Sequence, residues 1–187
     1  MKWNVIAVLY IILLIIIAQI IVPDSYDWVQ HSISQYAAQN YEYQWIMQLG
    51  FLGFGVLLSI GVFTNWAKNR KYWYREVPVL VYALSIAVSA LFNTDPFIEG
   101  VSYSEQEAQL HSFFATLAGF SFSITVLLYT LTEQIVWKKS AHFLVLLIVM
   151  GLSSALNTTE YYTGLMQRLL WAVSFAWLVF FYNPGTD

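Results

Sequence analysis

Six long apolar segments constrain the fold of this chain more than any other feature of its sequence. They cover residues 3–22, 44–66, 77–92, 111–131, 141–156 and 164–182. About 20 helical residues cross a hydrocarbon core of about 30 Å, and unpaired backbone groups are too costly in lipid for other open structures. Residues 11–17 (IILLIII) lack the period-two alternation of a barrel strand. The pattern predicts an all-α integral membrane protein, a six-transmembrane-helix bundle in one domain over residues 1–187.

The composition agrees with a lipid environment and excludes several kinds of site. Of the 187 residues, 59% are hydrophobic and only 10% are charged, whereas a soluble domain carries roughly a quarter charged residues. The chain has no cysteine, which excludes disulfides, thiolate metal sites and cysteine nucleophiles. The net charge of −3 gives no indication of a nucleic-acid partner.

The basic residues predict the orientation in the membrane. Seven of the eight lie at the N-terminus or around the second and fourth connections: Lys2, Lys68, Arg70, Lys71, Arg75, Lys138 and Lys139. The positive-inside rule therefore places both termini in the cytoplasm of a cell membrane, the inner or plasma membrane of a bacterium. The three other connections carry acidic residues and no Lys or Arg, so the outer face is expected to attract cations.

The first outer loop, residues 23–43, has a helical pattern of its own. Val29, Ile33 and Tyr36 fall on one helical face, and Asp24 is suited to be an N-cap. We expect a short amphipathic helix that lies on the outer surface.

Arg168 is the single residue that most invites a functional interpretation. It lies about four residues, or about 6 Å, from the outer end of the sixth segment. An arginine inside a membrane is costly unless it is paired or hydrated. Two interpretations stay open: the guanidinium pairs with Asp95 or Glu160, or the side chain snorkels to the outer interface.

Two imidazoles and a carboxylate are predicted at the same outer level. His31, Asp95 and His111 could form a two-histidine, one-carboxylate metal site, to which Ser34 could add a contact. The alternative is that His111 only begins a helix at the interface while His31 faces water. His142, on the cytoplasmic side, is expected to be an interfacial anchor.

Four motifs in a fixed order carry a family resemblance. They are HSIS at residues 31–34, GFLGFG at 50–55, ALFNTD at 90–95 and LHSFFATLAGF at 110–120. Over nearly the whole chain, they resemble the bacterial and archaeal membrane proteins catalogued as domain of unknown function 998. The resemblance implies a six-helix bundle without an established activity, and it points to His31, Ser34, Asp95 and His111.

Two departures from the family pattern matter. Gln35 stands where an acid is usual, which weakens a proton-relay role, and Asn93 stands where a proline is usual. A more distant similarity is to ceramidase and adiponectin-receptor-like hydrolases, which hold zinc with a Ser, an Asp and three His. This chain lacks their closing His-x-x-x-His pair and has one helix fewer.

The candidate ligand-binding residues are His31, Ser34, Asp95, His111, Glu160 and Arg168. The leading hypothesis is a non-enzymatic bundle whose outer pocket binds a lipid headgroup or small ligand, or supports a partner protein. The alternatives are a lipid hydrolase with Zn²⁺ on His31, Asp95 and His111, and a small-solute transporter. Membrane lipids are the expected partners, and another membrane protein or a second copy of the chain stays open.

Overall fold

The computed structural model describes residues 2–68, 71, 73–98, 100–156, 158–159 and 161–182. Within these residues it contains six α-helices and one short 3-10 helix, Ile33–Ala37. The α-helices are α1 (Trp3–Ile21), α2 (Gln44–Lys68), α3 (Trp73–Ser89), α4 (Glu105–Thr132), α5 (Val136–Leu156) and α6 (Thr163–Phe180). The predicted all-α class is confirmed.

Five of the helices are long and apolar enough to cross a membrane. They are α1, α2, α4, α5 and α6, with mean hydropathies of 2.8, 2.1, 1.7, 1.7 and 1.3. Helix α3 has 17 residues, which at about 1.5 Å per residue is shorter than a hydrocarbon core of about 30 Å. The structure therefore supports a multi-pass membrane protein in which five helices are long and apolar enough to span the membrane.

Helices α3, α4 and α5 begin several residues before the apolar segments that predicted them. Helix α4 begins at Glu105, six residues before the apolar run, because Ser104 caps it and acidic side chains fill its first turn. Helix α3 likewise begins with the polar pair Arg75 and Glu76 in its first turn. Hydropathy detects the part of a helix that lies in lipid, and the helix itself continues beyond it.

The six helices form a closed ring. Each packs against its neighbour in sequence, and α1 packs against α6. Aromatic side chains meet across the ring: the Phe54 and Phe175 centroids lie 5.8 Å apart, and those of Phe122 and Trp177 lie 5.4 Å apart. Gly55 lets α2 approach α3, since a Cβ there would lie 2.3 Å from the Ala83 carbonyl oxygen. The centre of the bundle is thus a packed aromatic core.

The first outer loop is more deeply packed than its sequence pattern predicts. Only residues 33–37 are helical, and their N-cap is Ser32, which forms a reciprocal capping box with Gln35. Ile33 and Tyr36 are buried, and the segment contacts α1, α2 and α6. The prediction of a short helix in this loop is confirmed, but its cap is Ser32 and not Asp24, and its apolar face turns into the bundle and does not lie on the surface.

The first and third outer loops join into one unit. Gln39 N–H donates to the Thr94 carbonyl (3.0 Å), and Thr94 N–H donates to the Ala37 carbonyl (3.2 Å). The Gln39 side-chain amide also donates to the Ser104 carbonyl (3.0 Å) and accepts the Ser104 N–H (2.8 Å). We call the described residues of 23–43 and 93–104 the cap. These bonds hold the cap over one end of the ring.

Candidate functional site

Arg168 fastens helix α6 to the cap. Its guanidinium donates five hydrogen bonds: to the carbonyls of Trp28 (2.7 Å), His31 (2.9 Å) and Gly164 (3.0 Å), and to the hydroxyls of Tyr26 (2.9 Å) and Tyr36 (3.0 Å). It also lies 5.9 Å from the ring centroids of Tyr26, Trp28 and Tyr36. A desolvated guanidinium is stabilised by such neutral oxygens and by aromatic faces.

This arrangement differs from the predicted pairing of Arg168 with Asp95. The donors of the side chain point at backbone and phenol oxygens of the cap. Glu160, the other predicted partner, lies outside the described residues. The charge therefore anchors a loop to a helix.

The same loop segment also caps the start of α6. Gly164 N–H donates to the Gln30 carbonyl and Leu165 N–H to the Val29 carbonyl, both at 3.0 Å. A Cβ on Gly164 would lie 2.3 Å from the His31 oxygen and 2.5 Å from the Trp28 oxygen. Only glycine allows the loop to come this close to α6. The same loop therefore accepts hydrogen bonds from the unpaired N–H groups at the start of α6 and from the Arg168 guanidinium.

Two stacked tyrosines line the guanidinium. The Tyr26 and Tyr36 rings lie 4.7 Å apart, Tyr26 donates to the Ser32 carbonyl at 2.8 Å, and Tyr36 donates to the Gln19 side chain. Burial, and next the proximity of Tyr36, raises the pKa of Tyr26 well above its usual range. Tyr26 is therefore a neutral phenol, whose oxygen accepts from Arg168.

His31 and Ser34 lie on the cap beside this cluster. The Nδ1 atom of His31 accepts the Asp27 N–H at 2.8 Å, and burial lowers the pKa of the imidazole. A neutral His31 with Nδ1 as acceptor carries its proton on Nε2, so neither nitrogen offers a lone pair to a metal. Ser34 Oγ accepts from the Gln167 amide at 3.4 Å.

His111 has different hydrogen-bond partners, at the end of α3. Its Nδ1 is 3.0 Å from the Ser89 carbonyl oxygen and 2.9 Å from that of Phe92. Because both neighbours are acceptors, Nδ1 must carry a proton. His111 therefore caps the end of α3, where carbonyl groups lack helical partners.

Asp95 is exposed, and its negative charge acts on both His31 and His111. Its carboxylate accepts from the Gln35 amide at 3.3 Å. Among the described residues, no group of three His, Cys, Asp or Glu side chains is placed to hold a metal ion. The predicted residues thus have different hydrogen-bond partners: Arg168 and Asp95 contact the segment that carries His31 and Ser34, whereas His111 contacts the end of α3.

An open cleft of about 480 Å³ lies where the cap meets α4. Carboxylates and an amide line its mouth, and hydroxyl and aromatic side chains continue it along α4: Asp95, Glu105, Gln109, Ser112, Phe113 and Thr116. Of these residues, only Asp95 is among the candidate ligand-binding residues predicted from the sequence. The others follow the i, i+3, i+4 spacing of one helix face, a signal that is visible once α4 is known to begin at Glu105.

Asn93 holds the loop beside this cleft. Its N–H donates to Glu107 Oε1 at 2.8 Å, its amide donates to Gln44, and its Oδ1 accepts from Gln48 at 3.0 Å. A proline, which the family resemblance expects here, has no N–H to give. Asn93, which stands where the family usually has a proline, thus forms a backbone hydrogen bond to Glu107 that a proline could not form.

A second polar cluster, at the opposite end of the bundle, was missed by the sequence reasoning. Glu76 is 4% exposed and accepts from the hydroxyls of Tyr182 (2.5 Å) and Tyr129 (3.4 Å). Nearby, His142 Nδ1 accepts from the Trp177 indole at 2.9 Å. His142 is 1% exposed, so its prediction as an interfacial anchor is wrong. The adjacent charged residues Arg75 and Glu76 could have indicated this cluster, but the sequence analysis assigned them to the end of the basic second connection.

Comparison with known proteins agrees with this architecture. A family model described as "Protein of unknown function (DUF998)" matches residues 5–182. No curated protein and no solved structure matches the chain. The resemblance inferred from the ordered motifs is confirmed. This multi-pass membrane protein belongs to the DUF998 family.

Proposed function

We propose that this protein binds, at the cleft between the cap and α4, an amphiphile whose head carries an ammonium group, and that it catalyses no reaction. The proposal rests on the composition of the cleft, which has two exposed carboxylates at its mouth and apolar and hydroxyl side chains farther along α4. Such a gradient fits a molecule with a cationic head and an apolar tail.

The length of α4 supports a position of the cleft's mouth at the level of the lipid headgroups. Its 28 residues extend about 42 Å, about 12 Å more than a typical hydrocarbon core. Its first turns therefore stand at the headgroup level, while Thr116, about 16 Å beyond Glu105 along the axis, reaches the acyl chains. Phe113 is 60% exposed, which suits contact with a lipid tail.

The charges favour a cation. Asp95 and Glu105 line the mouth, and no Lys or Arg is among the described lining residues. Arg168, the basic residue at this end of the bundle, directs its donors into the cap. The local field therefore attracts ammonium groups and disfavours anionic heads that carry no ammonium group.

The proposal includes the orientation. Both termini lie in the cytoplasm of a cell membrane, the cap faces outward, and α3 supplies a sixth crossing. In support, α3 packs against both α2 and α4, and its start adjoins the basic second connection. The shortness of α3 is accommodated by local thinning of the bilayer.

We favour binding over zinc-dependent hydrolysis because the two outer histidines have other partners. His31 Nδ1 accepts a backbone N–H, and His111 Nδ1 faces the carbonyls that end α3. The aromatic core likewise favours binding over solute transport, since it fills the centre of the ring.

Native mass spectrometry of the full-length protein tests the proposal. With phosphatidylglycerol of the same acyl chains as the comparison, we expect the two carboxylates of the cleft to strengthen selectively the binding of phosphatidylethanolamine. Asp95→Asn with Glu105→Gln should weaken that binding about fivefold, as for exposed ion pairs. The matched control, Asp24→Asn with Glu42→Gln, removes two exposed cap carboxylates that do not line the cleft. An equal loss for the two lipids, or an equal loss in the control, would refute the proposal.

A further inference from the structure

The turn between α4 and α5 exposes three consecutive apolar side chains. Ile135, Val136 and Trp137 are 45%, 78% and 63% exposed. The turn lies at the end of the bundle opposite the cap, because α4 starts at the cap and runs 28 residues away from it. Three such side chains in water would be unfavourable, so an apolar phase is expected to cover them.

Two lysines follow this apolar run directly. Lys138 Nζ lies 5.8 Å from the Trp137 ring centroid, a cation–π contact that keeps the ammonium group next to the indole. Lys139 is exposed. A tryptophan beside paired lysines is typical of the level where acyl chains meet headgroups.

The backbone adds to the positive field. The first hydrogen bond of α5 runs from Lys139 N–H to the Ile135 carbonyl (2.9 Å), so the N–H groups of residues 136–138 precede it. Helix N-termini attract anions for this reason. One carboxylate opposes the field: Glu133, whose Oε1 accepts the Ile135 N–H at 2.9 Å.

We propose that this turn is a binding site for an anionic phospholipid, whose phosphate-bearing head contacts Lys138 and Lys139 while its chains cover residues 135–137. The occupant follows from charge complementarity next to exposed apolar surface. The site shares no residue with the cleft at the cap, so the proposal stands independently of the amphiphile bound there.

The test compares phosphatidylglycerol with phosphatidylcholine of the same acyl chains, titrated onto the purified full-length protein and read by native mass spectrometry. We expect tighter binding of phosphatidylglycerol. Each lysine near a membrane surface strengthens anionic binding about fivefold, so Lys138→Gln with Lys139→Gln should weaken it on the order of twentyfold. Equal affinities for the two lipids would overturn the proposal.

The experiment includes a matched control and a variant that is expected to tighten the binding of phosphatidylglycerol. Lys68→Gln removes an exposed lysine from the same end of the bundle, but at the C-terminus of α2, where the carbonyl groups disfavour anions. We expect it to lose less than half of the phosphatidylglycerol affinity. Glu133→Gln keeps an oxygen for Ile135 N–H and removes the opposing charge, so it should tighten binding severalfold. A loss in Lys68→Gln as large as in the lysine pair, or no gain in Glu133→Gln, would contradict the site.

Discussion

The two ends of the bundle bury charge in different ways. At the cap, Arg168 is stabilised by carbonyls and phenols of a loop. At the other end, Glu76 is stabilised by hydroxyls of Tyr129 on α4 and Tyr182 just after α6. The first arrangement fixes a loop to a helix, and the second ties helices together. Because neutral groups satisfy Arg168, the carboxylates at the cleft keep their charge for a ligand.

Replacing Arg168 should give the largest effect on stability. Arg168→Met leaves two phenols and two cap carbonyls without a donor, and we expect a loss on the order of 3 kcal/mol in unfolding free energy. Arg168→Lys should lose less, since an ammonium can serve some of the acceptors. Thermal unfolding of the purified protein measures both. A fully stable Arg168→Met protein would mean that the guanidinium does not hold the cap.

Gly164→Ala tests whether the cap and α6 are in close contact. The added Cβ meets two carbonyl oxygens of the cap, and overpacking of this kind costs about 1–3 kcal/mol. Gly119→Ala is the matched control, since nothing lies within 4 Å of its Cβ. The control should be neutral or stabilising by up to about 1 kcal/mol, because alanine favours the helix. Equal unfolding temperatures for the two variants would contradict the contact.

Tyr182→Phe examines the other end. Its hydroxyl lies 2.5 Å from the buried Glu76 carboxylate, and losing a hydrogen bond to a charged group costs about 1.5–3 kcal/mol. Tyr129→Phe should cost less, because its contact is 3.4 Å long. Denaturant unfolding of each variant, with and without Glu76→Gln, gives the coupling. The ranking fails if Tyr129→Phe is the more damaging change.

His31 should give the smallest effect, seen only in the pH dependence. Burial lowers its pKa below the ordinary value of 6.5, so the folded state favours the neutral imidazole. This contribution is fully present above about pH 6.5 and is lost as the pH falls below that value, where the unfolded chain binds the proton first. His31→Asn keeps an acceptor for the Asp27 N–H without titrating. Unfolding temperatures from pH 8 to 5 should therefore decline less in this variant, and parallel profiles would contradict the assignment.

Much of the fold follows from the sequence, and the reason is physical. A long apolar run such as residues 3–22 can satisfy its backbone hydrogen bonds in lipid by forming a helix, so the extents of such helices were predicted closely. The starts of α3 and α4 were not, because their polar first turns lie outside the apolar signal. The family was recognised from the order of four short motifs along the chain.

The candidate site was harder to predict because neutral groups shape it. Arg168 stood out as an intramembrane charge, but its partners are carbonyls of residues 28 and 31, and backbone atoms leave no mark in a sequence. The two histidines were grouped by residue type, yet each is committed to backbone partners in a different place. Glu76 was hidden by the basic residues before it.

Photo-crosslinking in a bilayer tests the central claim most directly. The full-length protein would be placed in nanodiscs containing a phosphatidylethanolamine analogue with a photoreactive group near the start of one acyl chain, and the adducts mapped by peptide mass spectrometry. The account predicts that adducts concentrate on residues 105–116 of α4 and decline with Asp95→Asn and Glu105→Gln. Adducts spread evenly over α1 and α5, or unchanged by the two substitutions, would contradict it.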